Sequence, residues 1–390
     1  MIIELKGVEF ENKGAELMLR VIIERVERYW PEAEIAMLPT VNASYQQRAS
    51  IGAWQKFSFR KLYFDLNELT YMFPNSVKRL LRKWGVVTEA DIDVVIDASG
   101  FAYSDQWSPK ITVRHLAGEI NRYAKHGKPY IFMPQAMGPF SQEKVRKQIR
   151  DSFPKAALVC ARESQTYEYL SEIFGETDNL KIYGDFTNAI SGKIPEDIPR
   201  VNAACIIVNK NMVSKKNSVK GWAENYERIV KQIIGLYKKC GLSPYFLNHE
   251  GPDDRALIDK INAQLEIPLP VLEYSDPLEV KGAISQASAV FCSRFHGCIS
   301  ALSNGIPCLG TSWSHKYNCL YDSYSAQDLL LSPDMSNEEL KKIVEYSILS
   351  ESCLKSKVTD CAQKFKLETE NLWELIVEVV ECYQSNKGKK

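Results

Sequence analysis

The fold is indicated most clearly by the stretch AVFCSRFHG at residues 289–297. Its first four residues, 289–292, are apolar and predict a buried strand. A short polar turn follows, and residues 298–303 continue with a helical pattern. A strand that leads through a loop into a helix is typical of a parallel α/β sheet, where ligands bind in the loops after the strands.

The same alternation extends through both halves of the 390-residue chain. In the first half, strands and helices are predicted in turn at residues 2–8, 16–29, 94–97, 111–126, 130–133, 142–152, 157–160 and 164–174. In the second half they are predicted at residues 204–208, 223–239, 243–247, 252–265, 271–273, 278–285 and 289–292. This pattern predicts an α/β protein with two Rossmann-like domains facing a cleft.

The domain limits follow from a polar segment with two prolines in the middle of the chain. We expect residues 191–201 to be a linker between an N-terminal domain, 1–190, and a C-terminal domain, 202–350. A long helix is predicted at 351–384, and the tail 385–390 is expected to be disordered.

Composition excludes several classes of function. Lys and Arg together equal Asp and Glu, at 49 each, so the chain lacks the basic field that nucleic-acid binding requires. The start has no signal-peptide pattern and no apolar run reaches 18 residues, which predicts a cytoplasmic protein. The ten cysteines form no C-x-x-C pair, so we expect reduced core thiols and no metal site.

One segment, 53–84, departs from the alternation because it is rich in aromatic and basic residues. It contains eight aromatic side chains and a cluster of four cations, Lys78, Arg79, Arg82 and Lys83. The simpler interpretation is an inserted helical lobe with ordinary packing. The alternative is a surface that contacts membrane headgroups or a lipid-linked substrate.

The loop 293–297 is the strongest candidate for an anion site. Backbone amides at a helix start, including that of Gly297, bind anions, and Arg294 and His296 stand beside them. Lys316 lies one βα turn further along and could reach the same place. The alternatives are a capped helix with a surface arginine, and a solvated lysine.

Other loops after strands supply further candidates. Arg162 directly follows the strand at 157–160, although it could instead pair with a surface acid. Positions predicted to line the cleft or bind an acceptor are Asn12, Gly14, Glu16, Ser99, Gly100, Gln135 and His249. The group around His249 could hold a metal, but helix capping is the better interpretation. Dinucleotide, P-loop and α/β-hydrolase motifs are absent from the sequence.

Taken in order, these loops resemble the polysaccharide pyruvyl transferase family. The matching landmarks span about residues 8–320, and they are Asn12-x-Gly14, 98–100, 138–140, 161–163, 184–185, 248–249, 293–297, Gly305-x-Pro307 and Lys316. The element Ser-Arg-x-His-Gly at 293–297 is the specific one. Two landmarks depart from the family pattern, since Ala15 stands in place of an acid and 98–100 replaces a triple glycine.

The resemblance implies a fold similar to GT-B glycosyltransferases, with the helix 351–384 crossing back onto the first domain. It implies phosphoenolpyruvate as donor, a sugar as acceptor, possible attachment of that sugar to a lipid, and a pyruvate ketal as product in exopolysaccharide, capsule or cell-wall glycan synthesis. No cofactor is needed. Arg162 and Arg294, from opposite walls, would hold the donor with Lys316 and Gly297, because the arginine fork binds phosphate or carboxylate in two places.

His296 is the expected general acid, since protonation of the donor's vinyl carbon needs a group that titrates near neutral pH. A bound trianion would favour its protonated form. Two other functions stay open from the residues: a GT-B glycosyltransferase that uses a nucleotide sugar, and a non-catalytic carbohydrate-binding relative. Fold alone does not decide among them.

Overall fold

A computed structural model describes residues 1–61, 64–106, 109–214, 217, 219–312, 314–349 and 351–387. The described chain forms two compact units. The first comprises Met1–Glu11, Met18–Phe186 and Glu368–Lys390, and the second comprises Asn12–Leu17 and Thr187–Leu367. Each unit has its own sheet, so no strand pairing runs through the predicted linker.

The first unit is built on a parallel sheet. Its strands are β1 (Ile2–Lys6), β2 (Glu34–Met37), β3 (Trp54–Lys56), β4 (Arg60–Lys61), β5 (Phe64–Asp65), β6 (Val86–Val87), β7 (Val94–Asp97), β8 (Tyr130–Gln135), β9 (Leu158–Ala161) and β10 (Leu180–Ile182). Its helices are α1 (Lys13–Tyr29), α2 (Tyr45–Ser50), α3 (Asn75–Lys83), α4 (Pro109–Lys125), α5 (Glu143–Ser152) and α6 (Ser164–Phe174).

The order across this sheet is β10-β9-β8-β7-β1-β2-β3-β6, while β4 and β5 form a separate antiparallel pair. All four residues of β7 and all six of β8 are buried, as expected for central parallel strands that are covered on both faces. The chain runs from β1 outward to one side and then crosses to β7 on the other. The carboxyl ends of β1 and β7 therefore meet at the switch point of the sheet, where ligands usually bind.

The second unit has a smaller parallel sheet of order β13-β12-β11-β14-β15-β16. Its strands are β11 (Ala203–Ile207), β12 (Ser243–Asn248), β13 (Val271–Glu273), β14 (Ala289–Cys292), β15 (Cys308–Thr311) and β16 (Leu330–Leu331). The helices that follow are α7 (Trp222–Lys239), α8 (Gly251–Asn262), α9 (Pro277–Ser285), α10 (Phe295–Leu302), α11 (His315–Ser323), α12 (Asn337–Leu349) and α13 (Glu351–Lys387).

Helix α13 is shared between the units, since Glu351–Leu367 belongs to the second and the residues from Glu368 onward belong to the first. Within the first unit, both terminal nitrogens of Arg25 in α1 donate hydrogen bonds to the carboxylate of Glu370, that from Nη1 at 2.6 Å. The helix includes residues 385–387, which were expected to be disordered, whereas 388–390 lie outside the described residues.

The segment 53–84 differs from the helical insertion that the sequence suggests. It begins as β3, a strand of the main sheet, and after α3 the chain rejoins that sheet through β6. The aromatic residue Tyr63, one of those that marked this segment, lies outside the described residues. Within the described chain, no helix combines the length and apolar character needed to cross a bilayer.

Candidate active site

The loop 293–297 lies in the second unit, directly after β14. Helix α10 begins at Phe295, so the stretch from Arg294 to His296 is not extended. The two side chains are placed instead by a helix start, with Arg294 as the residue before the first helical turn. The first amides of a helix have no acceptor within it, so those of residues 295–297 are suited to bind an anion.

Ser293 anchors this loop to the core of the second unit. Its hydroxyl accepts hydrogen bonds from Tyr226 at 2.7 Å and from Thr311 at 2.8 Å. Its carbonyl accepts from the Asn209 amide at 2.9 Å and from the Tyr317 hydroxyl at 3.0 Å. All of these groups are buried, which gives the loop a rigid base.

Arg294 is held by two carboxylates. Its Nε and Nη2 donate to the two oxygens of Asp254 at 2.7 and 2.6 Å, and its Nη1 donates to Glu250 at 2.6 Å. Burial alone would lower the pKa of Arg294, but the hydrogen bonds and charge of Asp254 raise it. The guanidinium therefore fixes the loop to α8, and a donor that binds it must share or replace one of these partners.

The beginning of α1 belongs to the second unit, which includes Asn12–Leu17, whereas the rest of that helix belongs to the first. The Asn12 side chain accepts from the amide of Ala15 at 3.0 Å, which caps the helix, and it also hydrogen-bonds to Glu250. Gly14 is packed against His296, because a Cβ at Gly14 would lie 2.0 Å from the Nδ1 of that ring. Only glycine allows this approach, and the half-buried imidazole thus lies against a helix start.

His249 follows β12 and is 5% exposed. Its ring lies against Gly297, where an added Cβ would be 3.2 Å from its Cδ2. Among the described residues its Nδ1 has no hydrogen-bond partner. Burial, followed by the charges of Arg294, His296 and Lys13, lowers the pKa of His249 to about 3. The ring is therefore neutral at physiological pH.

The remaining candidates of this unit surround the same loop. Lys316 lies over the ring of Phe295, with its Nζ 4.9 Å from the centroid. Glu16 accepts from Lys13 at 2.8 Å, and Lys13 also donates to the carbonyl of Ser275. The second unit thus brings together the candidates Asn12, Gly14, Glu16, His249, Arg294, His296, Gly297 and Lys316.

This arrangement is suited to bind a small polyanion beside a proton donor. The starts of α1, α8 and α10 meet around Gly14, Glu250 and His296, and the positive end of a helix dipole stabilises negative charge. Lys13 and Lys316 add cations to the same region. Burial raises the pKa of Glu250, and the adjacent charge of Arg294 opposes this shift.

Arg162 lies in the first unit, at the end of β9. It forms an ion pair with Asp185 at 3.1 Å, and their side chains are 7% and 3% exposed. Its backbone amide donates to the carbonyl of Gln135 at 3.2 Å. Arg162 therefore does pair with an acid, as the alternative suggested, but that alternative is wrong about the surface, because the partner is a buried carboxylate.

The other candidates of the first unit gather around Asp97. The Ser99 hydroxyl donates to Asp97 at 2.5 Å, and the Gln135 amide donates to the Asp97 carbonyl at 3.3 Å. The Gly100 carbonyl accepts from Ala136 at 2.9 Å, with Gly100 in the left-handed region at φ 69°. These residues therefore form a second group, at the carboxyl end of β7.

Sequence reasoning missed the two acids that hold Arg294. Asp254 and Glu250 belong to the group around His249, for which the sequence favours helix capping. Glu250, however, makes no capping bond, and Asp254 accepts from Arg294 and from the backbone of Lys210. A signal was present, since three acids in 250–254 follow a strand directly. In the described part of the chain, no group of three or more His, Cys, Asp or Glu side chains could hold a metal ion.

Solved structures place the chain among two-domain α/β proteins of the GT-B type, which confirms the predicted fold class. A UDP-GlcNAc 2-epimerase from Neisseria meningitidis, bound to UDP-GlcNAc, is 11% identical with a TM-score of 0.56, covering 97% of this chain and 99% of that one. HepE from Anabaena, in complex with UDP and glucose, is 11% identical with a TM-score of 0.54 and the same coverage. At this identity the likeness concerns the fold alone.

The family is defined by the sequence itself. The polysaccharide pyruvyl transferase model matches residues 12–315, a range that runs from the start of α1 to the start of α11. The chain belongs to the polysaccharide pyruvyl transferase family, which confirms the resemblance inferred from the loops. No curated protein matches the chain.

Proposed function

We propose that this protein transfers the pyruvyl group of phosphoenolpyruvate to two hydroxyls of a sugar, forming a pyruvate ketal. Its membership of the pyruvyl transferase family supports a transferase, and the site in the second unit supplies what the donor's chemistry requires. Phosphoenolpyruvate carries a phosphate and a carboxylate. Helix starts and cations are therefore needed to bind it, and a titratable group is needed to activate it.

The proposed reaction consumes one phosphoenolpyruvate and two hydroxyls of the sugar. A proton adds to the vinyl carbon, which becomes the methyl group, and positive charge develops on the neighbouring carbon. A sugar hydroxyl attacks that carbon, the bond to the phosphate oxygen breaks, and inorganic phosphate leaves. A second hydroxyl of the same sugar then closes the ring. Of the two protons released by the hydroxyls, one returns to the acid and the other leaves with phosphate.

His296 is proposed as the acid. Its imidazole lies at the start of α10 and against Gly14, so donor atoms bound at these helix starts come within its reach. His249 is unsuited to the role, because its pKa of about 3 leaves it unprotonated at neutral pH. Its Nδ1, which has no partner among the described residues, can instead accept a hydrogen bond from an acceptor hydroxyl.

The donor is proposed to contact Arg162, Arg294 and Lys316 and the backbone of Gly297. Both arginines already hold carboxylates, Arg162 with Asp185 and Arg294 with Asp254 and Glu250. Pairs of this kind orient the guanidinium before the ligand arrives. Replacement of either arginine by lysine is expected to weaken donor binding, because lysine cannot keep the forked geometry.

The acceptor is proposed to be a sugar of a growing capsule, exopolysaccharide or cell-wall glycan, carried on a lipid at the cytoplasmic face of the membrane. Its proposed contacts are Asn12, Gly14, Glu16, Ser99, Gly100, Gln135 and His249. Buried amide and carboxylate oxygens among them are suited to hydroxyl groups. One such atom is the Gln135 Oε1, which has no partner among the described residues.

The observation that carries the proposal is the contact between His296 and the start of α1. Gly14 leaves no room for a side chain there, and both residues lie within the range matched by the family model. The site thus has a proton donor placed at convergent helix starts, as a phosphoenolpyruvate-dependent reaction requires.

The proposal is tested by donor choice and by turnover. Thermal stability is measured with phosphoenolpyruvate, UDP-N-acetylglucosamine and GDP-mannose, and phosphate release is measured with a panel of sugar acceptors. We expect phosphoenolpyruvate alone to raise the melting temperature, and phosphate to appear only with a suitable acceptor. Stabilisation by a nucleotide sugar and not by phosphoenolpyruvate would instead indicate a glycosyltransferase or epimerase. If phosphoenolpyruvate stabilises the protein but no acceptor supports phosphate release, a non-catalytic role follows.

A further inference from the structure

Helix α3 in the first unit buries none of its residues. Val77, Leu80 and Trp84 are spaced three and four residues apart, so they lie along one side of the helix and its end. Their exposures are 38%, 58% and 79%. The apolar side of a helix normally packs on a core, so the exposed apolar side of α3 lacks a packing partner among the described residues.

The residues before α3 continue this apolar surface. Almost half of the large apolar side chains that the described structure leaves exposed fall between residues 57 and 84, and they are Phe57, Phe59, Phe64, Leu66, Leu69, Met72, Val77, Leu80 and Trp84. The ring of Phe59 contacts the rings of Phe57 and Phe73, at 4.7 and 6.1 Å, which joins the β4–β5 pair to the beginning of α3. We call these nine exposed residues the lobe surface. A concentration of exposed apolar side chains in one segment is typical of an interaction site.

The other side of α3 carries all four basic residues of the helix. Lys78, Arg79, Arg82 and Lys83 occupy it, and the helix contains no acidic residue. Lys78, Arg79 and Arg82 line an open cavity of about 690 Å³, which also contains Asp91, to which Arg82 donates at 3.2 Å. Arg79 and Lys83 are exposed and make no ion pair with the described residues.

We propose that the lobe surface docks on a membrane rich in anionic phospholipid. Apolar and aromatic side chains would enter the boundary between headgroups and acyl chains, and Lys78, Arg79 and Lys83 would bind lipid phosphates. Trp84, at the end of the helix, is the type of residue that is favoured at this boundary. The proposal extends the proposed function, because it brings the enzyme to a lipid-linked acceptor, but it does not depend on the reaction.

A second copy of this chain is a poorer occupant of the surface. Symmetric pairing through α3 would place four cations against four cations, since a two-fold interface brings the same residues together. Charge complementarity therefore favours an anionic layer over self-association.

Vesicle binding tests the proposal. The full-length protein is sedimented with vesicles of phosphatidylcholine alone and with vesicles that also contain phosphatidylglycerol. Two variants are compared with it, Leu80→Ser/Trp84→Ser and Lys78→Gln/Arg79→Gln/Lys83→Gln; Arg82 is kept because it pairs with Asp91. The matched control is Ile267→Ser/Leu367→Ser, which changes two side chains that are 66% and 64% exposed elsewhere.

We expect the wild type and the control to bind phosphatidylglycerol vesicles at least tenfold more tightly than phosphatidylcholine, and each lobe variant to lose at least tenfold in affinity. Stabilisation by phosphoenolpyruvate should be the same in all four proteins, so a failure here is distinguishable from a failure of the proposed function. Equal binding by the wild type and both lobe variants would overturn the proposal, as would no binding to either vesicle. A wild-type dimer that Leu80→Ser/Trp84→Ser converts to monomer would assign the surface to self-association instead.

Discussion

Two buried charge clusters in this protein both pair cations with carboxylates, but they differ in what they leave available for chemistry. In the first unit, Lys56 donates to Glu4 at 2.5 Å and to Glu119 at 3.0 Å, while Lys6 pairs with Glu119 at 2.7 Å and lies 3.7 Å from Asp97. This cluster ties β1, β3 and β7 to α4 at one end of the sheet. Each of its five charged groups has a charged partner within the cluster.

The cluster of the second unit includes groups that could take part in a reaction. Arg294 is held by Asp254 and Glu250 just as the lysines are held in the first unit. It nevertheless stands beside His296 at a helix start, and beside His249, whose Nδ1 has no partner in the part of the chain that the structure describes. The positive ends of helices converge there, whereas the first cluster is surrounded by strands and the middle of α4.

The pKa shifts of buried groups in the two clusters show the same contrast. In the first cluster, burial alone would raise the pKa of Glu119, but the charges of Lys56 and Lys6 hold it well below its usual range. In the second unit, burial and neighbouring cations lower the pKa of His249 to about 3. A buried ion pair by itself therefore does not identify a functional site. The informative feature is a titratable histidine ring that lies beside the buried ion pairs.

The largest effect is expected for His296→Gln. Glutamine preserves size and hydrogen bonding but cannot supply a proton at neutral pH, so turnover should fall by about 10²–10⁴-fold while phosphoenolpyruvate still binds. Steady-state phosphate release, together with donor titration by calorimetry, measures both quantities. Wild-type turnover in the variant, or complete loss of donor binding, would remove His296 from the role of acid.

Next is Lys56→Met, which tests whether the first cluster is structural. The substitution leaves Glu4 and Glu119 buried without their cation, so unfolding free energy should drop by about 3–5 kcal/mol. Stabilisation by phosphoenolpyruvate should persist in chemical denaturation. Lys341→Met, at a side chain that is 51% exposed, serves as control and should change little. Loss of donor binding in Lys56→Met without loss of stability would assign the first cluster to the active site.

Gly14→Ala is expected to slow turnover by about 100-fold, because the new methyl group must displace the His296 ring. Alanine favours helix, so a loss of helix stability cannot explain the effect. Gly235→Ala is the matched control, since this helical glycine in α7 has nothing within 4 Å of an added Cβ. Equal turnover in the two variants would show that His296 has no fixed position against α1.

The smallest effect concerns His249 and pH. Its pKa is about 3 when folded and about 6.5 when unfolded, so acid protonates the unfolded state first and stability is lost as pH falls below 6.5. Between pH 7 and pH 5 this should cost about 2 kcal/mol, and His249→Gln should lose about that much less than wild type. The comparison is made by urea unfolding at both pH values. Identical losses would mean that His249 is solvated.

Much of the fold could be predicted because parallel strands and their helices have strong periodic patterns. The strand Val94–Asp97 and the helix Ser164–Phe174 were predicted to the residue. The short strands β3 and β6 were missed, since two or three residues within an aromatic segment carry no period. The helix 295–302 was predicted three residues late, because the arginine and histidine at its start suggested a loop.

The types of residue in the site could be predicted from the sequence, but the contacts between their side chains could not. The sequence indicates that Arg294, His296 and Lys316 follow neighbouring strands, and these do converge in the second unit. It could not indicate that Arg294 would be held by Asp254, since that contact joins residues 40 positions apart. Nor could it indicate why position 14 is glycine. The reason is the ring of His296, which comes from a distant part of the chain.

The most direct test of the difference between the two clusters is hydrogen–deuterium exchange of the whole protein with and without phosphoenolpyruvate. Backbone amides at helix starts are the proposed anion ligands, so saturating donor should slow exchange in peptides that cover residues 12–17 and 293–299. Peptides that cover residues 2–6 and 54–57, in the first cluster, should be unchanged, and UDP-N-acetylglucosamine should reproduce none of the protection. Protection confined to residues 2–6 and 54–57, or none at saturating phosphoenolpyruvate, would contradict the proposal that the donor binds at the helix starts of the second unit.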